Sequence, residues 1–192
     1  MKLHEAIDGR LREFILAQPV FFVGTAPTSV DGHVNVSPKG MAGTFAVLGE
    51  HRVAYLDYTG SGAETIAHLR DNGRIVLMFC AFSGPPNIVR LHGHGRVVPQ
   101  GSPEYPGLLS HFRPEQEHGA RSIIDVAVER VSDSCGFSVP LMEHTGDRDL
   151  LLRRHSRRTD DDLTAYWAEK NAQSIDGLPA LDSTDEVRAP SP

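Results

Sequence analysis

Three segments of this chain gather side chains able to hold a polar or anionic ligand. In the first, Thr59-Gly60-Ser61-Gly62 leads into Glu64 and Thr65. A glycine-rich turn feeding a helix offers free backbone N–H groups and the positive end of a helix dipole to a phosphate. The same residues have a plainer reading. Ser61 followed three residues later by Glu64 has the form of a capping box, which would use two of those amides. The Glu64 carboxylate would also repel an anion unless it points away. In the second segment, His33-Val-Asn-Val-Ser-Pro-Lys-Gly40, strand alternation puts Asn35 and Ser37 on one face and Val34 and Val36 on the other. Lys39 stands just past the strand end. An amide, a hydroxyl and an ammonium converging there suit a phosphate or the polar edge of a flat heterocycle. A solvated strand face with a surface lysine is the alternative. In the third segment Arg90 sits among Ile88, Val89 and Leu91, company in which an arginine needs an anionic partner, either Asp57 or a ligand phosphate.

Other reactive residue types carry less. His92 and His94 share a strand face, as a metal pair would, but no third ligand follows at recognisable spacing. With ten histidines in the chain such pairs arise by chance, and no metal is expected. Cys80 and Cys135 read as free thiols, not as a disulfide framework. The chain has no nucleophile elbow, P-loop or Cys-x-x-Cys. Any redox or group-transfer chemistry therefore has to come from a cofactor.

The elements that must position these residues follow from composition and periodicity. The 192 residues, 40% hydrophobic and 23% charged, suit one globular domain over residues 1–178 with a disordered tail over 179–192. A formal net charge of -6 argues against nucleic-acid partners. No apolar run approaches the roughly 20 residues of a membrane span and no signal-peptide pattern opens the chain, so a soluble cytoplasmic protein is expected. Spacing predicts an amphipathic helix over 2–17, a hairpin of 20–26 with 33–37, and a second strand pair of 44–48 with 52–58. A helix should run from the glycine turn to Asn72-Gly73, a left-handed stop. The apolar run 75–82 reads as a strand buried on both faces, and 88–98 as a long strand bulged at its glycines. A short helix over 103–112, strands over 122–131 and 135–139, and a helix over 160–173 complete the reading. Seven or eight strands with local connections mean a small antiparallel barrel with helices packed outside.

Three segments in this order resemble the pyridoxamine 5'-phosphate oxidase-like proteins, the flavin-binding split barrels. They are His33–Gly40 (HVNVSPKG), Tyr55–Phe79 (YLDYTGSGAETIAHLRDNGRIVLMF) and Pro86–Val97 (PNIVRLHGHGRV). A fourth, Asn171–Leu181 (NAQSIDGLPAL), is similar to the C-terminal signature of one uncharacterised branch. The resemblance implies a mainly β, α+β fold, an antiparallel Greek-key split β-barrel with peripheral helices. It also implies a homodimer with FMN at the subunit interface and hydride transfer through flavin N5 to or from a small molecule. By position, Lys39 and Ser37 match the end of the family's phosphate-binding strand. Thr59, Ser61, Gly62, Glu64 and Thr65 match its turn and helix start. Asn35 and Val36 would lie along the flavin ring, and Arg90 in the strand approaching its edge. Two departures matter. The true oxidases carry an arginine–lysine pair where Glu64 and Thr65 stand here, and their C-terminal tryptophan and arginine segment is absent, Trp167 falling in a helix. Pyridoxamine phosphate oxidation is therefore not implied. The expectation is an FMN-dependent oxidoreductase of another branch. The alternatives are a flavin- or haem-binding storage or sensor protein, with His92 or His94 toward haem, and an F420-dependent reductase.

Overall fold

Alternation along the long strands turns every second residue inward, and that phase decides which side chains meet. The computed structural model describes residues 1–113 and 117–181. In chain order its elements are β1 (Lys2–His4), α1 (Gly9–Ala17), β2 (Val20–Thr25), β3 (Asn35–Gly40), β4 (Phe45–Gly49), β5 (Arg52–Tyr58), α2 (Glu64–Asn72), β6 (Arg74–Cys80), β7 (Ile88–Pro99), α3 (Tyr105–Leu109), β8 (Ala120–Ser134), α4 (Leu150–His155) and α5 (Asp160–Lys170). All strand pairs are antiparallel, in one curled sheet of order β3-β2-β6-β7-β8-β5-β4 with β1 added on β8. The chain neighbours β5 and β6 lie far apart in that order, so α2 carries the chain from one half of the sheet to the other. Among the described residues β3 and β4 are left as edges, which is the split in the barrel.

The interior is apolar. Phe21, Val23, Tyr55, Leu77, Phe79 and Leu91 point inward and are buried, covered by Leu11 and Ile15 of α1 and by Ile66 and Leu69 of α2. The Phe21 ring lies 4.9 Å from Phe45, 5.4 Å from Tyr55 and 5.5 Å from Phe79. Each such burial contributes about 1.5–3 kcal/mol. A second cluster packs Leu56, Val98 and Ile123 under Leu108 and Phe112.

Both predicted hairpins form, and the long strand β7 shifts register between His92 and Gly93, where a Cβ on Gly93 would lie 1.9 Å from the Ala127 carbonyl oxygen. Gly73 ends α2 at φ 73°, the left-handed stop its position predicts.

Other expectations are corrected. The first helix does not start at residue 2. Lys2–His4 pairs with β8, and α1 starts only where Asp8 accepts the Leu11 N–H at 2.7 Å. β3 runs on through Pro38 and Lys39, which its place at an edge permits. β6 is buried on one face only, with Val76 and Met78 half-buried on the outer side. Residues 135–139 form no strand. β8 already supplies the partner for β7, and Gly136 packs against the Asn87 backbone. The helix α4 has no counterpart in the sequence reading. Ala180 and Leu181 are buried, their N–H groups donating to Ala172 O at 2.9 Å and Asn171 O at 3.0 Å. The ordered chain therefore passes the expected boundary at 178, and the remainder of the expected tail, 182–192, lies outside the described residues. Among the described residues no helix is long and apolar enough to cross a membrane.

Candidate functional site

The two halves of the sheet are tied by charge at one end of the barrel. Because β3 extends past Pro38, Lys39 is paired with inward-facing Phe21 and points into the barrel. Its Nζ reaches Asp57 Oδ1 on β5 at 2.9 Å, while Arg121 Nε holds Asp57 Oδ2 at 2.8 Å. Arg121 continues outward, donating to Asn171 Oδ1 at 2.8 Å and to the Gly62 carbonyl at 3.0 Å. Asp57 is fully buried. Burial alone would raise its pKa, but the charges of Arg121 and Lys39 outweigh that and hold the carboxyl at about 2. Arg90 is therefore not the partner of Asp57. It faces the outer side of β7 and donates to Ser134 Oγ at 3.0 Å.

The glycine turn is held from the C-terminal side of the chain. Trp167 Nε1 donates to Thr59 Oγ1 at 2.8 Å, and Asn171 Nδ2 to the Gly60 carbonyl at 3.1 Å. The capping box does not form. Ala63 is the N-cap of α2 with no side-chain bond, and Glu64 turns instead to the Ile175 N–H, at 3.0 and 3.3 Å. Ile175 belongs to a strap closed by Ser174 N–H donating to Leu178 O at 2.9 Å. The next strap residue, Asp176, accepts the His33 N–H at 2.8 Å and pairs with His33 Nδ1 at 2.7 Å. Beneath β3, Asn35 Nδ2 donates to Thr25 Oγ1 at 3.3 Å and Thr65 Oγ1 at 3.2 Å, and Ser37 Oγ donates to Asn35 Oδ1 at 3.2 Å. Thr25 Oγ1 also lies 3.0 Å from Nδ1 of the fully buried His68.

Beside this network lies a cavity of about 1430 Å³. Its walls are the ends of β3 and β5 with the turn at Gly60, the chain just after β6, and the segment from Met142 into α4. Phe14, Leu56 and Phe82 give it apolar surface, and Lys39, Arg148 and Arg154 bring cations. Behind it His155 of α4 stacks on Tyr58 at 6.3 Å. Burial first, and the charges of His118, Arg158 and Arg154 with it, outweigh a bond to the Thr59 backbone and hold His155 below the usual histidine range.

The ten candidate residues thus divide. Lys39 and Thr59 reach the cavity wall. Asn35, Ser37 and Thr65 form the hydroxyl–amide cluster under β3. Ser61 and Gly62 are exposed, and Glu64 lies under the strap. Val36 and Arg90 face outward, with Arg90 three strands from β3 in the sheet, about 14 Å at normal strand spacing. His94 pairs with Glu129 at 2.8 Å, and among the described residues no group of three metal-binding side chains forms. The sequence reading missed Arg121, Trp167 and Asn171. Arg121 carried a faint signal, a lone cation at the head of an apolar strand.

Tested against a phosphate, the start of α2 does not fit. A carboxylate stands in its first turn, held by the Ile175 N–H of the strap, and Ser37 donates its hydroxyl hydrogen to Asn35, while Thr65 and Thr59 accept from Asn35 and Trp167 and keep their own O–H to donate.

An antiparallel split barrel with helices on its rim and a cavity at its open end defines the class. The family model described as pyridoxamine 5'-phosphate oxidase matches residues 7–135. The pyridoxamine 5'-phosphate oxidase family protein ustO of Aspergillus flavus is 40% identical over 94% of this chain and 78% of its own. Crystal structures of HupZ from Group A Streptococcus share the fold. One has TM-score 0.54 at 19% identity, covering 71% of this chain and 99% of that one. The other, of a variant, has TM-score 0.54 at 20% identity, covering 67% and 99%. The chain belongs to the pyridoxamine 5'-phosphate oxidase family, as its three motifs imply.

Proposed function

We propose that this chain is a flavin-dependent oxidoreductase acting on a small molecule as a cytoplasmic homodimer. Family membership supports a flavin as the cofactor, and one observation carries the placement: the cavity beside Lys39 and Thr59 is large enough for a flat heterocycle together with a second small molecule. A flavin there would supply hydride exchange at N5, so the chain need furnish no acid, base or nucleophile. The apolar wall at Leu56 and Phe82 would exclude water from the ring, and Lys39 and Thr59 would border its polar edge. Two features support the dimer and the compartment. Val36, Val76, Met78 and Phe22 leave an apolar outer face on β3, β2 and β6, and both cysteines are free thiols.

The experiment is an absorption spectrum of the purified protein before and after incubation with flavin and gel filtration. Flavin bands that elute with the protein are the expected result. A protein that releases flavin completely would overturn the reading, and a Soret band or retained F420 would replace it with the corresponding cofactor.

A further inference from the structure

One buried titratable group stands behind the cavity and joins two of its walls. α4 lines the cavity with Leu150, Leu151 and Arg154, and the end of β5 with its turn lines it with Tyr58, Thr59 and Gly60. His155, the last residue of α4, lies between them and is 1% exposed. Its ring stacks on Tyr58 at 6.3 Å and bonds the Thr59 backbone. The Thr59 N–H is already given to the Gly119 carbonyl at 2.9 Å, so the ring bonds the Thr59 carbonyl. Nδ1 is buried with no partner among the described residues, so the donor is Nε2–H and Nδ1 carries a bare lone pair. A second proton has no place there. Gly119, at φ 85°, packs so close that a Cβ on it would overlap Nδ1. The titratable and charged groups around the ring are His118 ahead of β8, Tyr58 of β5, Arg154 of α4 and Arg158 just beyond it. None is a carboxylate.

We propose that His155 is a positioning residue for the ligand of the cavity: neutral, it pins α4 to the turn after β5, and on taking a second proton it releases α4 and opens that wall. The identity of the ligand rests on the flavin reading above; the opening does not. An imidazolium in the closed site would put an N–H at Nδ1 against Gly119, with no acceptor and with Arg154 and Arg158 nearby. Once α4 is released the ring meets water and takes that proton at its ordinary value of 6.5. Burial above all holds the closed ring below that value. The open form therefore binds the extra proton, and acid favours it. Below 6.5 the opening equilibrium should rise by up to about tenfold per pH unit, until the closed ring itself titrates.

The test is hydrogen exchange of the full chain between pH 7 and pH 5, corrected for intrinsic exchange rates, without ligand. Protection of α4 should fall about tenfold per pH unit below 6.5 while the barrel strands keep theirs. Trp167, the chain's one tryptophan, bonds Thr59 Oγ1 at 2.8 Å, and its emission should shift over the same range. His155→Gln keeps an N–H for Thr59 and cannot charge, so the pH dependence of α4 should vanish. Gly119→Ala sets a methyl where the ring lies and should open α4 at pH 7. With FMN as the probe, gel filtration should find more flavin on the unaltered protein at pH 7 than at pH 5, a difference that shrinks in His155→Gln. Protection of α4 that does not change with pH would overturn the inference. So would a dependence that persists in His155→Gln or disappears instead in His118→Gln. Flavin held equally at both pH values while α4 opens would overturn the link to the ligand and leave the flavin reading standing. Flavin bound at neither pH would overturn the flavin reading, and exchange in α4 would still decide the part played by His155. The profile of the unaltered chain gives that answer even where a variant fails to fold.

Discussion

Asp57, itself buried, accepts hydrogen bonds from two cations, and its removal has calculable consequences. Asp57→Asn would leave Lys39 and Arg121 facing each other without their shared counter-charge. Breaking a buried pair in this way costs about 3–5 kcal/mol. Urea denaturation at pH 7 should show that loss. Dependence on pH gives a second handle. The folded carboxyl titrates at about 2 against an ordinary value of 3.8. A depressed folded pKa means its stabilisation is complete above pH 4 and is lost as pH falls toward 2, about 2 kcal/mol in all. The acid limb of stability should flatten by that amount in Asp57→Asn, and an unchanged limb would remove Asp57 from the account. Lys39→Ala is expected to cost less, since Lys39 is partly exposed and Arg121 remains on Asp57. It should also lower flavin retention in gel filtration, and full retention would remove Lys39 from the binding wall. The sequence revealed part of this site. Alternation placed Asn35 and Ser37 on one face, and the structure joins them. It could not show that Lys39 turns inward, because that depends on β3 running through a proline. Nor could it pair Asp57 with Arg121, because strands distant in sequence meet only through the closed sheet.

At the scale of elements, α5 and the strap grip the turn between β5 and α2. Trp167, Asn171 and Glu64 make the contacts. Asn171→Ala would leave both a buried Arg121 N–H and the Gly60 carbonyl without their partner. An unmade buried bond costs about 1–3 kcal/mol. The variant should melt several degrees lower, and the turn should gain hydrogen exchange at 59–63 before the barrel strands do. Equal exchange in turn and strands would mean that α5 does not secure it. Local signals served well where neighbours in sequence also pair in space, as in both hairpins and the Gly73 stop. The capping box failed for an instructive reason. Ser61 and Glu64 have the right spacing, but the Ile175 N–H, far along the chain, competes for the carboxylate. The short helix α4 was illegible because six residues give too little periodicity to separate it from a loop.

At the scale of the whole molecule, the sheet has one face in the core and one that the described residues leave half covered. Along β3, β2 and β6 the outward residues are Val36, Phe22, Val76 and Met78, with Val36 64% exposed. Water against a contiguous apolar surface is costly, and among the described residues β3 is also an edge of the sheet. A second copy of the chain would bury both. Val36→Lys tests this at a position where the monomer loses nothing by carrying a charge, because the side chain already meets solvent. Sedimentation should find the unaltered protein dimeric at micromolar concentration and the variant dissociating at least tenfold more readily, with the same thermal midpoint once both are monomeric. If flavin retention falls in parallel with dissociation, the cavity is completed by the partner. If retention holds in the dissociated variant, each barrel binds its cofactor alone.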